Sequence, residues 1–359
     1  MLLLKEPNPK PLYMLHRYCC YIAIPAVLLA GMACSSHDDV YGNVRPVTPD
    51  PVTPPVVTDT VVSLPSDWKK AAALMEGLPS GIAVYQNTTA YNGKALNAYC
   101  VAFDPKNAQL ELKPVLPEKN TKPAAIYAAE PGKPYVCING GFFGTNASYS
   151  LVQYNGVVSA VNIKSLGRQY NGTAATYYPT RGAFGITAAG APDITWIYHV
   201  GTGNGTIYSY PAPSPNVLNS APQQQPTAGF PAGGVQWNVA SAIGGSPVLI
   251  KNGNINVTDT AELIDIDNSI SRARSAIGYT GTGKIVLVAV QGGDVGTGGG
   301  GGLSLRELAD LMKRMGCTAA LNLDGGGSTS MVVNGKLTVK PSDTAGERAV
   351  MSAIILKKK

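Results

Sequence analysis

Five short stretches of this 359-residue chain set glycine beside one or two polar side chains. They are Asn139-Gly140-Gly141-Phe142-Phe143-Gly144, Ala242-Ile243-Gly244-Gly245-Ser246-Pro247, Arg274-Ser275-Ala276-Ile277-Gly278, Asn322-Leu323-Asp324-Gly325-Gly326-Gly327-Ser328-Thr329 and Gly346-Glu347-Arg348. The fourth is the richest in chemistry. Three glycines after Asp324, at the end of an apolar run, let backbone N–H groups turn inward as an anion nest, and Ser328 adds a hydroxyl. A carboxylate beside such a nest can act on a centre next to an anion. Arg274 and Arg348 offer the planar fork that grips a phosphate bidentately, which Lys does less well. Glu347 supplies a second carboxylate, and two carboxylates are the usual equipment for glycoside cleavage.

Each motif also has a plain structural reading. Three glycines after a strand are often only a tight turn, Glu347-Arg348 reads as a surface ion pair, and Asn139 before Gly140 as an Asx turn. Asp265 and Asp267 lack EF-hand spacing and read as solvated loop acids. DGGGST has neither the spacing nor the Lys of a P-loop. Histidine is nearly absent: of His16, His37 and His199, only the last falls in the expected folded part. That excludes a two-His metal site there and leaves His199 alone for any Ser-His-Asp triad. Acid–base work falls to carboxylates, Tyr, Lys or Arg. No metal site and no cofactor is expected, with a divalent cation left open.

The elements that must position these groups are mostly strands. GIAVYQN, NAYCVAFD, AQLELKPVL, KPYVCING, SAIGYT, KIVLVAV, CTAALNL, SMVVNG and RAVMSAIIL have β composition and spacing, with a hairpin turn expected at Asp104-Pro105-Lys106-Asn107. Two helices are signalled. One runs from Ser66 as N-cap to a stop at Gly77. The other follows Ser304 and Glu307, a capping box ahead of a stripe of Leu305, Leu308, Leu311, Met312 and Met315. The loop before it holds Gly298 to Gly302 consecutively, a mobile segment in prospect. Residues 187–240 read as a long surface insertion, with Trp196, Tyr198 and Trp237 either sugar-stacking platforms or anchors that hold the loop down.

Composition narrows the classes. Charged residues are 14%, Gly 41, Pro 27 and Tyr 18 against Phe 5, which suits strands and tight turns rather than a helical bundle. The formal charge of +6 is too small and scattered for a nucleic-acid surface, and 45% hydrophobic residues exclude global disorder. Residues 1–33 read as a lipoprotein signal peptide: Arg17, then the uncharged run YIAIPAVLLAGMA, then Cys34 as the lipidation site. A short membrane anchor is the competing reading, and Met14 is an alternative start. Residues 34–64, with repeated VTP, read as a polyproline-like tether, leaving 65–359 as the folded domain. Cys100, Cys137 and Cys317 remain after processing, and the last two read as small buried hydrophobes. The picture is a bacterial envelope protein, lipid-anchored and periplasmic or cell-surface.

The order NGGFF, RSAIG, QGG, GxLSLRELADLM, LNLDGGGSTSMVVNG and PSDxxGER resembles the phosphodiester glycosidase family over roughly residues 80–359. Gln291-Gly292-Gly293 and Ser271-Arg272-Ala273 depart from the family's usual pattern. The resemblance implies hydrolysis of a sugar 1-phosphodiester at the anomeric carbon, releasing an N-acetylglucosamine-like sugar and a phosphomonoester. It implies Asp324 and Glu347 as catalytic residues, and Arg274, Arg348, Asn139, Gly140, Phe142, Gly325, Gly326 and Ser328 as the substrate and phosphate pocket. The partners expected are a phosphoglycan or sugar-phosphodiester substrate and the membrane, with no nucleic acid and no protein partner. The alternative is a non-catalytic cell-surface glycan-binding lipoprotein. The expected fold is α+β: a strongly bent mixed sheet, helices packed outside, and the pocket at strand ends.

Overall fold

The strand Ile285–Val290 shows how the sheets are built. Ile285, Leu287 and Ala289 enter one apolar cluster, while Val286, Val288 and Val290 enter another, because successive side chains leave opposite faces of a strand. Both faces are covered, so the run is apolar throughout. The computed structural model describes residues 61–265, 268–293 and 301–359, with the two-residue strand Val56–Val57. The expected leader, Cys34, most of the tether, Asp267 and residues 298–300 lie outside the described residues.

Among the described residues, three large sheets enclose the main core. The first has eight strands in the order Asn254–Ile255, Val248–Lys251, Cys317–Asn322, Arg274–Thr280, Ile285–Val290, Ala98–Phe103, Ile82–Asn87, Lys69–Lys70. The second has five: Lys336–Leu337, Met331–Val333, Pro134–Asn139, Ala353–Lys358, Leu110–Val115. The third has seven: Val157–Ala160, Val152–Tyr154, Ser241–Gly244, Arg181–Ile186, Pro192–Val200, Thr206–Tyr210, Val235–Gln236. Val101 and Leu287 of the first, Ile138 and Ile354 of the second, and Phe184 and Ile243 of the third share one cluster. The helix Leu305–Arg314 covers the outer face of the eight-stranded sheet, where Leu308, Leu311 and Met312 pack on Val286 and Val288. Its capping box is formed as expected, with Ser304 Oγ accepting from the Glu307 amide at 3.2 Å.

The α+β expectation is corrected. Strand makes up 41% and helix 8%, so the fold is mostly β with a curled half-barrel sheet. The sheets are not mixed either: every ladder among the described residues is antiparallel. The two strands either side of the Leu305–Arg314 helix do run the same way. The strand Arg274–Thr280 lies between them and pairs with both.

Local expectations shift for physical reasons. The helix expected from Ser66 shrinks to Ala72–Met75, with Ala71 as N-cap. Trp68 is buried with Tyr85, and Lys69–Lys70 pairs beside it as an edge strand. Burying a large ring outweighs the weak propensity of so short a helix. Asp104 does turn the chain, its Oδ1 accepting from the Lys106 amide at 2.9 Å. The flanking strands enter different sheets, so the turn is a corner and not a hairpin. Residues 187–240 contribute three strands of the seven-stranded sheet, and Trp196, Tyr198 and Trp237 are buried. They anchor; they do not offer stacking faces. Cys100, Cys137 and Cys317 are buried free thiols.

Candidate active site

Three strand ends meet at one place. Asn139 closes Pro134–Asn139, Arg274 opens Arg274–Thr280, and Asp324 follows Cys317–Asn322 by two residues. Asn139 joins them. Its Oδ1 accepts from Ser275 Oγ at 2.6 Å and from the Ser330 amide at 3.2 Å. Its Nδ2 donates to the carbonyls of Asp324 at 2.8 Å and Gly140 at 3.1 Å. The residue is fully buried, so it fixes the site from beneath and its amide is satisfied within the protein. Gly140 completes the joint: its carbonyl accepts from the Asp324 amide at 3.0 Å. A Cβ there would come 2.3 Å from Ser352 Oγ, so only glycine allows the approach.

Above this joint lies a cavity of about 600 Å³, a size suited to a small organic ligand. Arg272, Arg274, Arg348, Asp324 and Asp343 give its lining charge, and Phe142, Ile264 and Leu305 add apolar surface. Burial pushes the Asp324 carboxyl up to about 6, against the pull of nearby Ser328, the Gly325 amide and Arg348. Gly325 N–H donates to Asp324 Oδ1 at 2.9 Å. Ser328 Oγ is buried near Asp324 without a hydrogen bond of full geometry.

The expected anion nest is largely used inside the turn. Gly326 N–H goes to the Ala273 carbonyl at 2.8 Å, Ser328 N–H to Gly325 at 3.1 Å and Thr329 N–H to Gly326 at 3.1 Å. Gly325 and Gly326 therefore line the cavity while their amides orient Asp324 and the turn itself. Arg274 lines the cavity from a buried position, with Nε donating to Leu303 O at 2.8 Å and Nη2 to Ile270 O at 2.9 Å. Both bonds hold main chain at Ile270 and Leu303, so Arg274 braces the wall as well as charging it. Arg348 is half exposed and forked onto Asp343, which raises its pKa.

Glu347 is placed elsewhere. Its Oε1 accepts from Ser330 Oγ and from the Ala124 amide at 3.3 Å, in the first turn of the helix Pro123–Ala129, and it does not line the cavity. Neighbours in sequence, Glu347 and Arg348 face different surroundings. Among the lining residues that escaped the sequence reading as site groups are Arg272, Asp343 and Asn322. Arg272 shares a strand face with Arg274 by the i, i+2 rule, a signal that was available. Asp343 stood in the PSDxxGER motif. Asn322 lines the cavity with its Nδ2 bound to Ser246 O at 2.7 Å and its Oδ1 unpartnered. Among the described residues, no group of three or more His, Cys, Asp or Glu is gathered to hold a metal.

The family model for phosphodiester glycosidase matches residues 133–357, which takes in every element of this site. The chain belongs to the phosphodiester glycosidase family. A family member of this kind is an enzyme, a glycoside hydrolase. The N-acetylglucosamine-1-phosphodiester alpha-N-acetylglucosaminidase of Mus musculus is 33% identical over 106 residues, and that of Homo sapiens 35% over 106. Each match covers 26% of this chain and 20% of the relative, so the chain spans about a fifth of the length of these curated relatives. Among solved structures, the zebrafish N-acetylglucosamine-1-phosphodiester alpha-N-acetylglucosaminidase catalytic domain, auto-inhibited by its pro-peptide, superposes with a TM-score of 0.52 at 17% identity. That match covers 79% of this chain and 85% of the other. A hypothetical protein from Synechocystis gives 0.52 at 22%, covering 79% and 63%. Both share the fold.

Proposed function

We propose that this phosphodiester glycosidase hydrolyses a sugar 1-phosphodiester at the anomeric carbon, releasing an N-acetylglucosamine-like sugar and a phosphomonoester. The observation that carries the reading is the part-buried Asp324 carboxyl, set beside Arg348 in a cavity that arginines and apolar side chains line together. Ionised above about pH 6, Asp324 serves as nucleophile or base toward the anomeric carbon. The phosphate leaves readily, so its departure needs charge stabilisation by arginine more than a strong general acid. Apolar lining from Phe142, Ile264 and Leu305 suits the acyl group of an N-acylated sugar. The N-acetylglucosamine named for the curated relatives supports the same choice.

The test is turnover of an α-N-acetylglucosamine-phospho-mannose substrate beside a plain α-glucosaminide and a sugar 1-phosphate. Release of free sugar from the diester at the highest kcat/KM is expected. Turnover of the plain glucosaminide alone would remove the phosphodiester from the reading.

The leader sequence supports an envelope location, with the domain lipid-anchored through Cys34 by the Pro-rich segment that follows it. A Cys34→Ala variant expressed in a Gram-negative host is expected to leave the membrane fraction for the soluble one. Retention of the variant on membranes would count against lipidation at Cys34.

A further inference from the structure

Asp343 occupies a position that matters for any anion in this cavity. Its oxygens accept from Arg348 Nε at 2.8 Å and Nη2 at 2.9 Å, the two-pronged edge that a phosphate would take. The pair lies flat on the turn that follows Asp324. A Cβ at Gly327 would come 2.1 Å from Arg348 Nη2 and 2.2 Å from Asp343 Oδ1. Both residues line the cavity, and Arg348 is close enough to Asp324 for their charges to couple. The loop is shaped to bring them together: Gly346 N–H donates to the Asp343 carbonyl at 3.0 Å, with Gly346 at φ +89°. The carboxylate is a built part of the wall.

We infer that Asp343 makes the cavity favour singly charged phosphate diesters over doubly charged phosphate monoesters, and so speeds departure of the monoester product. The inference rests on the proposed phosphodiester substrate. In that hydrolysis the C1–O bond breaks and its electron pair leaves with the phosphate oxygen. Water supplies the hydroxyl to C1, and its remaining proton passes to the monoester or to solvent. A diester carries one negative charge; a monoester near neutrality carries about 1.5 to 2. Any anion contacting Arg348 lies beside the Asp343 carboxylate, and Coulomb repulsion grows in proportion to the anion's charge. An arginine without that neighbour would prefer the dianion, which here is the product. One carboxylate on the arginine thus penalises product more than substrate.

The experiment is calorimetric titration of the full chain at pH 8 with ethyl phosphate and, separately, diethyl phosphate. Asp343→Asn keeps the shape and loses the charge. It is expected to tighten ethyl phosphate at least about tenfold and diethyl phosphate less than about threefold, as charge scaling requires. Asp343→Glu is expected to restore the wild-type preference, which a merely structural role would not do. Equal tightening of both probes, or no change in either, overturns the inference even if the phosphodiester substrate is turned over. If neither probe binds wild type or variant, the phosphodiester reading itself fails and the inference with it. Should Asp343→Asn not fold, Asp343→Ser is read by the same outcomes, since the side chain is about a third exposed and tolerant of change.

Discussion

The side-chain amide of Asn139 donates to the main-chain carbonyl of Asp324 at 2.8 Å, across 185 positions of sequence. It ties the first glycine motif to the fourth and holds the catalytic candidate at a fixed height above the strand ends. Asn139→Ala strands the Asp324 carbonyl and two donors, Ser275 Oγ and the Ser330 amide, while the Gly140 carbonyl keeps the Asp324 amide. Each unsatisfied buried group costs about 1–3 kcal/mol, with partial relaxation, so a loss of roughly 3 kcal/mol is expected by chemical denaturation. Turnover should fall further than stability explains, because Asp324 loses its brace. A loss below about 0.5 kcal/mol would show that the joint is not structural.

Asp324 is expected to trade stability for activity. Its folded pKa of about 6 lies above the ordinary aspartate value of 3.8, so the folded state binds the proton more tightly. Ionisation therefore costs stability: nothing below pH 3.8, the full amount above about 6. Asp324→Asn removes the charge and keeps an acceptor for Gly325 N–H. It should gain on the order of 2 kcal/mol at pH 7 and nothing at pH 3.5, while turnover drops at least about a hundredfold. Thermal melts at the two pH values, beside steady-state rates, check both halves. A variant no more stable than wild type at pH 7 would contradict the first half.

Glu347 is expected to matter less to chemistry. Its carboxylate serves Ser330 Oγ and the first turn of the Pro123–Ala129 helix. Glu347→Gln should keep more than about a tenth of turnover and lose roughly 1 kcal/mol of stability, the worth of a charge-assisted hydrogen bond. A hundredfold rate loss with an unchanged melting temperature would return Glu347 to the catalytic machinery.

His199 sets an acid limit on the fold. It is buried, its Nε2 accepting from the Asn162 amide at 3.2 Å and its Nδ1 lying 3.0 Å from the Asn204 carbonyl. Burial lowers its pKa from 6.5 to about 4. The unfolded chain takes up the proton first, so stability is complete above pH 6.5 and falls as pH drops toward 4, by about 3 kcal/mol. Asp324 works in the opposite sense over nearly the same range. Wild type should therefore show a shallow pH dependence, and Asp324→Asn a steeper acid loss. His199→Asn should flatten that loss, and an unchanged slope in the double variant would rule out His199 as its source.

How much of this was readable beforehand depends on the range of the interaction. Asp324, Arg274, Arg348 and Phe142 were legible because each stood in one of the short motifs that set glycine beside polar side chains, and all four line the cavity. The strand segments were legible from their period. Partnership was not: Leu110–Val115 pairs with Ala353–Lys358 across most of the folded chain, and no local pattern encodes that. Residues 187–240 misled because the Pro- and Gln-rich piece 211–225 diluted the β-rich DITWIYHV and TIYSY around it. Glu347 and Arg348 were read together because adjacency suggested a shared task. The bend there parts them, Glu347 toward Ser330 and Ala124 and Arg348 toward Asp343.

The strand Ala353–Lys358 sits between Pro134–Asn139 and Leu110–Val115, with Ile354 opposite both Ile138 and Pro114. Those two earlier strands have no partner on that edge until the chain has been synthesised beyond residue 353. The five-stranded sheet that carries Asn139 is therefore complete only once residues 353–358 are in place. Such late, long-range pairing slows folding and leaves apolar strand edges open to wrong neighbours.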